Sequence, residues 1–309
     1  MRHPIVPHRE SGLALEQAGE ALVRRLCGTW QGKSGMCLCP AHADRHPSLS
    51  VRIGDRALIF KCFAGCSSAA VARAIARIDP HALDRAPKPS VGAAIEGRAR
   101  RRQYACNVWA TAVPLGGSIA SSYLRARGIH LRAPNLRFNP HTPLRHGEGL
   151  TRRPALIAAV TDRGALVAIH RTFLDPACPR LARDLSQPRR MLGRPGGGAV
   201  ALAPATDCLG LAEGIETALS AMILFGVPVW AALGTERLSQ VVVPDSVQHL
   251  LLFADNDPGG SRAAARAAQA HARAGRVVET CSPPLAFNDW NDVLQAGGKG
   301  EGILRRHAV

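Results

Sequence analysis

The chain has 309 residues, 46% of them hydrophobic, with a mean hydropathy of -0.02, a balance that excludes a wholly disordered or fibrous chain. Lysine and arginine number 39 against 23 acidic residues, giving a net charge of +16 and a pI of about 10.6, which favours a polyanionic partner. No run reaches the ~18 apolar residues of a membrane span, and the opening MRHPIVPHRE lacks the apolar core of a signal peptide, so a cytoplasmic protein with no membrane partner is expected.

Leu15, Ala18, Leu22 and Leu26 recur at helical spacing before Gly28, which predicts a first helix over Leu13–Leu26. LSVRI and ALIFKC read as two short strands, and Ser67 or Ser68 is placed to cap an Ala-rich helix ending at Ile78. Residues 1–78 are thus expected to form a small module. Pro, Gly and Arg break any apolar periodicity over 79–102, which reads as an exposed basic linker.

A helix around Tyr104–Val113 and a second, capped by Ser118 and ending near Gly128, open the next part, 103–205. Residues 135–148 read as irregular. PALIAAVTDRGALVAIHRTFLD alternates on both sides of a turn at Asp162–Gly164 and predicts a hairpin, and RRMLGRPGGGAVAL reads as a basic, Gly-rich connection. Over 206–309 the strands CLGLAE, VPVWAAL, HLLLFAD and RVVETC alternate with the helical runs ETALSAMILFG and GSRAAARAAQAHARAG, which predicts an α/β domain with a mainly parallel sheet.

Four of nine cysteines cluster near the N-terminus. Cys39 and His42 have two residues between them, Cys62 and Cys66 have three, and the hairpin between these pairs can close four soft ligands around a tetrahedral, structural Zn²⁺; Cys37 is a spare ligand candidate. CPAHADRHPSLSV followed by KCFAGC resembles the zinc-binding domain of bacterial and phage primases, although the second knuckle usually has two intervening residues in that family. The resemblance implies that the module helps to read a template, with Arg45, Arg52, Lys61 and Phe63 as candidate contacts through phosphate attraction and base stacking.

Glu213 ends one predicted strand, and Asp255 and Asp257 follow another. In a parallel sheet such carboxyl ends share an edge, where three carboxylates repel one another unless Mg²⁺ or Mn²⁺ sits among them. EGIETA, FADNDPGG and DWNDVL closely resemble the Toprim domain of primases, topoisomerases and certain nucleases. By that resemblance Glu213 is the acid–base residue, Asp255 and Asp257 hold metal, and Asp289 and Asp292 are further metal candidates. Asp289 is equally suited to cap a helix. Thr217 stands where cellular primases often have an aspartate, and Glu216 beside it either compensates or caps a helix.

The segment holding HRTFLD and RRMLG resembles the partner half of the primase core in mobile-element Toprim proteins. Arg171 and Arg190, with His170 and Arg189, are candidates for binding a nucleoside triphosphate or template phosphates. Together these resemblances imply a phage- or plasmid-type DNA primase: a zinc-ribbon-like module ahead of a primase core with a Rossmann-like Toprim domain, making RNA primers from ribonucleoside triphosphates on single-stranded DNA. No G-x-x-x-x-G-K-[ST] loop occurs, so a separate helicase is the expected partner. A Toprim nuclease and a non-catalytic, zinc-containing replication accessory protein are the alternatives.

Overall fold

Among the buried side chains of the first helix, α1 (Glu10–Arg25), Leu22 and Val23 face one sheet, and that amphipathic stripe is what the helix contributes to the N-terminal core. The sheet is antiparallel, with β1 (Thr29–Gln31), β2 (Ser34–Cys37), β3 (Leu49–Ile53) and β4 (Leu58–Cys62) in that order. Leu49, Val51, Leu58 and Cys37 point inward to Val71 and Ile75 of α2 (Ser68–Ile78), whose first turn is capped by the Ser67 hydroxyl accepting from the Ala70 amide. The computed structural model describes residues 10–54, 57–83, 91–131, 133–146 and 149–298. The opening MRHPIVPHR, the linker segment 84–90 and the tail 299–309 therefore lie outside the described residues.

The chain divides into two compact units, 1–94 and 95–309. The division falls within α3 (Val91–Ala110), so residues 91–102, read above as part of a linker, are helical. The reason is composition: beyond Pro87 and Pro89 the run is dominated by Ala and Arg, good helix formers that need no apolar stripe when exposed.

The second unit begins its antiparallel sheet at β5 (Val113–Pro114), passes through α4 (Ile119–Arg125), and continues with β6 (Leu136–His146), β7 (Gly149–Asp162), β8 (Ala165–Phe173) and β9 (Arg189–Gly193). The hairpin at 162–164 lies where the alternation put it. Two segments differ from the sequence reading. Residues 136–146 form a strand although Pro140 and Pro143 obscure its pattern, because a register shift between Asn139 and Thr142 absorbs the irregularity; Asn139 fills it by accepting from the His141 amide and donating to Thr111. RRMLG is the edge strand β9, not a connection.

After β10 (Val200–Ala201) come β11 (Cys208–Ala212), α5 (Ile215–Phe225), β12 (Val229–Ala231), β13 (His249–Phe253), α6 (Pro258–His271), β14 (Val277–Cys281) and α7 (Trp290–Gln295). The strand order is β10-β12-β11-β13-β14, parallel except at β10. The chain moves from β11 to β12 on one side and then returns to β13 on the other, so the order reverses between β11 and β13, and the crevice past their carboxyl ends is the place where such sheets bind ligands.

Alternation explains the packing. Leu156, Ala158 and Val160 of β7 share a core with Ala212, Leu219 and Phe253, whereas Ile157, Ile169 and Phe173 turn to Ala105 and Val108 of α3. Leu209, Leu211, Leu250 and Leu252 pack against Ala263 and Ala267 of α6 on the remaining face. Both sheets of this unit therefore contribute to one core, which fixes the rim of the antiparallel sheet beside the carboxyl ends of β11 and β13. Among the described residues no helix is long and apolar enough to cross a membrane.

Candidate active site and metal centre

In the first unit, the donor atoms of Cys39, His42, Cys62 and Cys66 all lie within 4.8 Å of one another. The second knuckle accommodates its additional residue because Gly65 adopts φ 97°, a conformation that disfavours any residue with a Cβ. His42 Nδ1 is 3.2 Å from Cys66 Sγ, and its Nε2 is 3.5 Å from Asp44 Oδ1. Asp44 in turn accepts from the Ser48 hydroxyl at 2.6 Å and the Cys39 amide at 2.7 Å, and these two donors hold its carboxyl down to about 2. A carboxylate behind the far nitrogen of a histidine is the support a metal-bound imidazole uses to fix its orientation.

The thiols also fit a metal. Burial pushes Cys39 up to about 12, whereas at Cys62 hydrogen bonds from the Cys66 and Ala64 amides and Ser48 overcome burial and bring it down to about 7. Three sulfurs crowded together cannot all ionise without a cation, and a Cys₃His set of this kind is suited to zinc. Cys37 is not among them: it is buried between β2 and β3 with its thiol toward the Leu49 carbonyl, and burial raises it to about 11.

In the second unit, β11 and β13 are in parallel register with Ala212 opposite Phe253, which brings Glu213 and Asp255 out at one edge. The Leu233 amide donates to the Glu213 carbonyl at 2.8 Å, with Leu233 at φ 68° and Gly234 at φ 142°, so a strained turn closes one side of the edge. The other side depends on Asn256. Its amide donates to the Asn288 carbonyl at 2.7 Å and its side chain to the carbonyls of Pro283, Pro284 and Phe287, pinning the 283–288 loop and delivering Asp289. Trp290 anchors α7 behind that loop, edge-on to Phe225 and Phe253.

The expected acids are thereby brought together around Asp255. Burial first, then Glu213, Asp289, Asp257 and Asp292, push the Asp255 carboxyl up to about 7, and its buried Oδ1 has no hydrogen-bond partner. An orphaned carboxylate oxygen among four other acids is a donor set for a hard divalent cation. Asp257 caps α6 by accepting from the Gly260 amide at 2.6 Å. Asp289 caps α7 by accepting from the Asp292 amide at 2.8 Å, as its capping alternative expected, and it also lines the cleft. A Cβ at Gly260 would collide with the Asp255 carbonyl, so only glycine lets α6 start this close to the acid.

The cleft beside these acids has a volume of about 390 Å³, and its opposite wall carries Arg127, His170 and Arg189. Pairing of β8 with β9 selects His170 and Arg189, while Arg127 follows α4. Thr172 faces Arg189 and His170 faces Met191, while Arg171 faces Arg190 on the other surface. Arg171 and Arg190, expected to bind a nucleoside triphosphate or the template, are thus not brought to this cleft. Arg171 is buried, donates to the Pro143 carbonyl at 2.8 Å and stacks near Phe173, and Arg190 donates to the carbonyls of Gln187 and Arg145. Neither lines the cleft.

Arg127 carries no local signal in the sequence and Glu216 an ambiguous one, yet both line the cleft, and the buried Tyr123 contacts both. Tyr123 donates to Glu216 Oε1 at 2.6 Å and Arg189 donates to the same oxygen at 3.0 Å. Burial alone would raise the Glu216 carboxyl, but Arg189 and then Tyr123 hold it below its ordinary range. Burial brings His170 down to about 4, so its imidazole is neutral at physiological pH.

The fold and the acid cluster define the class of the C-terminal region, and residues 208–300 match the family model of the Toprim domain: this part of the chain is a Toprim domain. Residues 99–202 match a second model, described as Domain of unknown function (DUF7146). No curated protein sequence matches the chain. Among solved structures it is similar to the Aquifex aeolicus primase (zinc binding and RNA polymerase domains), at 17% identity and a TM-score of 0.48 over 96% of this chain and 84% of that one. A DNA primase domain from Pseudomonas aeruginosa gives 16% identity and 0.48 over 64% and 75%, and the primase fragment of the bacteriophage T7 primase-helicase protein 16% and 0.39 over 60% and 69%.

Proposed function

We propose that this chain is a DNA primase that joins ribonucleoside triphosphates into short RNA primers on single-stranded DNA. The observation that carries the reading is the cleft itself: a Toprim acid cluster with an unpartnered Asp255 oxygen faces a wall of Arg127, Arg189 and neutral His170. Carboxylates for metal on one side and arginine forks for phosphate on the other are what phosphoryl transfer requires. Asp255, Asp257 and Glu213 would hold Mg²⁺ or Mn²⁺, with Asp289 and Asp292 as further ligands; ions bound there would offset charge on the attacking and leaving oxygens.

In this reading Glu213, just past the end of β11, would take the proton of the attacking 3′-hydroxyl, and Arg189 and Arg127 would orient the triphosphate so that pyrophosphate leaves toward them. In the first unit, zinc on Cys39, His42, Cys62 and Cys66 would hold β2 to β4 as a platform. Arg52, Lys61 and Phe63 are exposed on or beside that platform, Lys61 lying 5.3 Å from the Phe63 ring centre. An exposed aromatic beside cations suits a stacked base and its phosphates. A helicase on another chain would supply unwound template.

The test is incubation of the full chain with single-stranded DNA, ribonucleotides and Mg²⁺. Short RNA products made by wild type and lost in Glu213→Gln support the proposal. Metal-dependent degradation of the template without synthesis would favour a Toprim nuclease, and DNA binding without either activity would favour an accessory protein.

A further inference from the structure

The carboxylate beside Thr217 has an unexpected allegiance. Glu216 is buried on the first turn of α5, and both of its close donors, the Tyr123 hydroxyl and one arm of Arg189, converge on the single oxygen Oε1. It therefore belongs to the basic wall of the cleft and leaves the acid cluster to others. Arg189 is anchored at one nitrogen, yet its side chain remains 44% exposed, so the rest of the guanidinium is available at the cleft. Tyr123 is itself buried under Arg127, whose guanidinium lies 5.0 Å from the ring centre. Arg127 in turn donates to the side-chain oxygen Oδ1 of Asn291 at 3.0 Å, and the Asn291 side-chain amide donates to Ser220 on the helix that carries Glu216. The two cleft arginines are thus tied into one buried polar network spanning α4, α5, α7 and β9.

We propose that Glu216 is a positioning residue: with Tyr123 it clamps one arm of Arg189 so that the remaining donors face the cleft as a pre-oriented phosphate fork. The inference rests on the nucleotidyl-transfer reading above and adds the device that sets its nucleotide affinity. An arginine on an edge strand otherwise samples many rotamers, and each binding event must order it. A buried acceptor that takes two charge-assisted or buried donors removes that freedom in advance.

The test uses the full chain, with ATP and Mg²⁺ as the binding probe in titration calorimetry and primer synthesis as the second readout. Glu216→Gln and Tyr123→Phe are each expected to weaken ATP binding about tenfold, the loss of one charge-assisted hydrogen bond. Both should raise KM for ribonucleotides with kcat near wild type. Tyr123→Phe retains the carboxylate and guards against a folding defect in the other variant. In an Arg189→Ala background, Glu216→Gln should add less than about a twofold further loss, because the carboxylate acts through that arginine. Wild-type ATP affinity in both single variants, or a further tenfold loss in the Arg189→Ala background, would overturn the clamp while leaving primer synthesis by wild type intact. A wild-type chain that neither binds ATP nor makes primers would instead overturn the nucleotidyl-transfer reading, and the clamp with it.

Discussion

Replacing Asp255 by Asn should stabilise the metal-free protein at alkaline pH and abolish its response to metal. Burial and the neighbouring acids raise the Asp255 carboxyl from 3.8 to about 7. The folded state therefore keeps a proton that the unfolded chain releases, so the penalty is absent below about pH 4, grows as pH rises, and is complete above about pH 7. In a site closed to solvent that gap would amount to about 4 kcal/mol, but Asp255 is only half-buried and screening reduces it to about 1–2 kcal/mol. For a unit of this size the corresponding rise in Tm is about 3–6 °C at pH 8, with almost none at pH 4. The assay is differential scanning calorimetry of both proteins in chelator and in Mg²⁺ or Mn²⁺. Metal should raise the wild-type Tm at pH 8 and leave Asp255→Asn nearly unmoved. A lower metal-free Tm in the variant at pH 8, or equal stabilisation of both proteins by metal, would refute the reasoning.

Removing zinc with a strong chelator, or replacing Cys62 by Ser, should unfold the first unit and leave the second folded, seen as proteolytic loss of 10–83 with survival of a fragment from about residue 95. Arg189→Ala should weaken ATP binding and also lower Tm at neutral pH, because it leaves the buried Glu216 carboxylate with Tyr123 alone. Arg171→Ala should lower stability by about 1–3 kcal/mol through its lost carbonyl partner and buried packing while ATP affinity is retained. Phe63→Ala should lower affinity for single-stranded DNA by about 1–3 kcal/mol in fluorescence titrations without changing Tm, since the ring is exposed.

Much of this arrangement was legible in the sequence because it depends on local signals. The two cysteine knuckles, the strands ending in Glu213 and Asp255, and the Ala-rich α6 each announce themselves by spacing or periodicity. The basic wall of the cleft was not legible, for one identifiable reason. With RRMLG read as a connection, its alternation could not be set against that of HRTFLD; once β9 pairs with β8, strand geometry puts His170 and Arg189 on the cleft and Arg171 and Arg190 behind it. The strand 136–146 was hidden by two prolines that a bulge absorbs. Asn256 and Glu216 depend on partners 27 to 93 positions away, Pro283 and Tyr123 among them, and no local pattern encodes such contacts.

The most direct test of the central claim is to follow γ-labelled ribonucleoside triphosphate into product on unprimed single-stranded DNA. Primer synthesis from two free nucleotides leaves the 5′-triphosphate of the first one in place, so the expected product is short RNA that carries the γ-label and vanishes in Glu213→Gln. RNA that carries only α-label, or an unlabelled template cut into fragments, would contradict it.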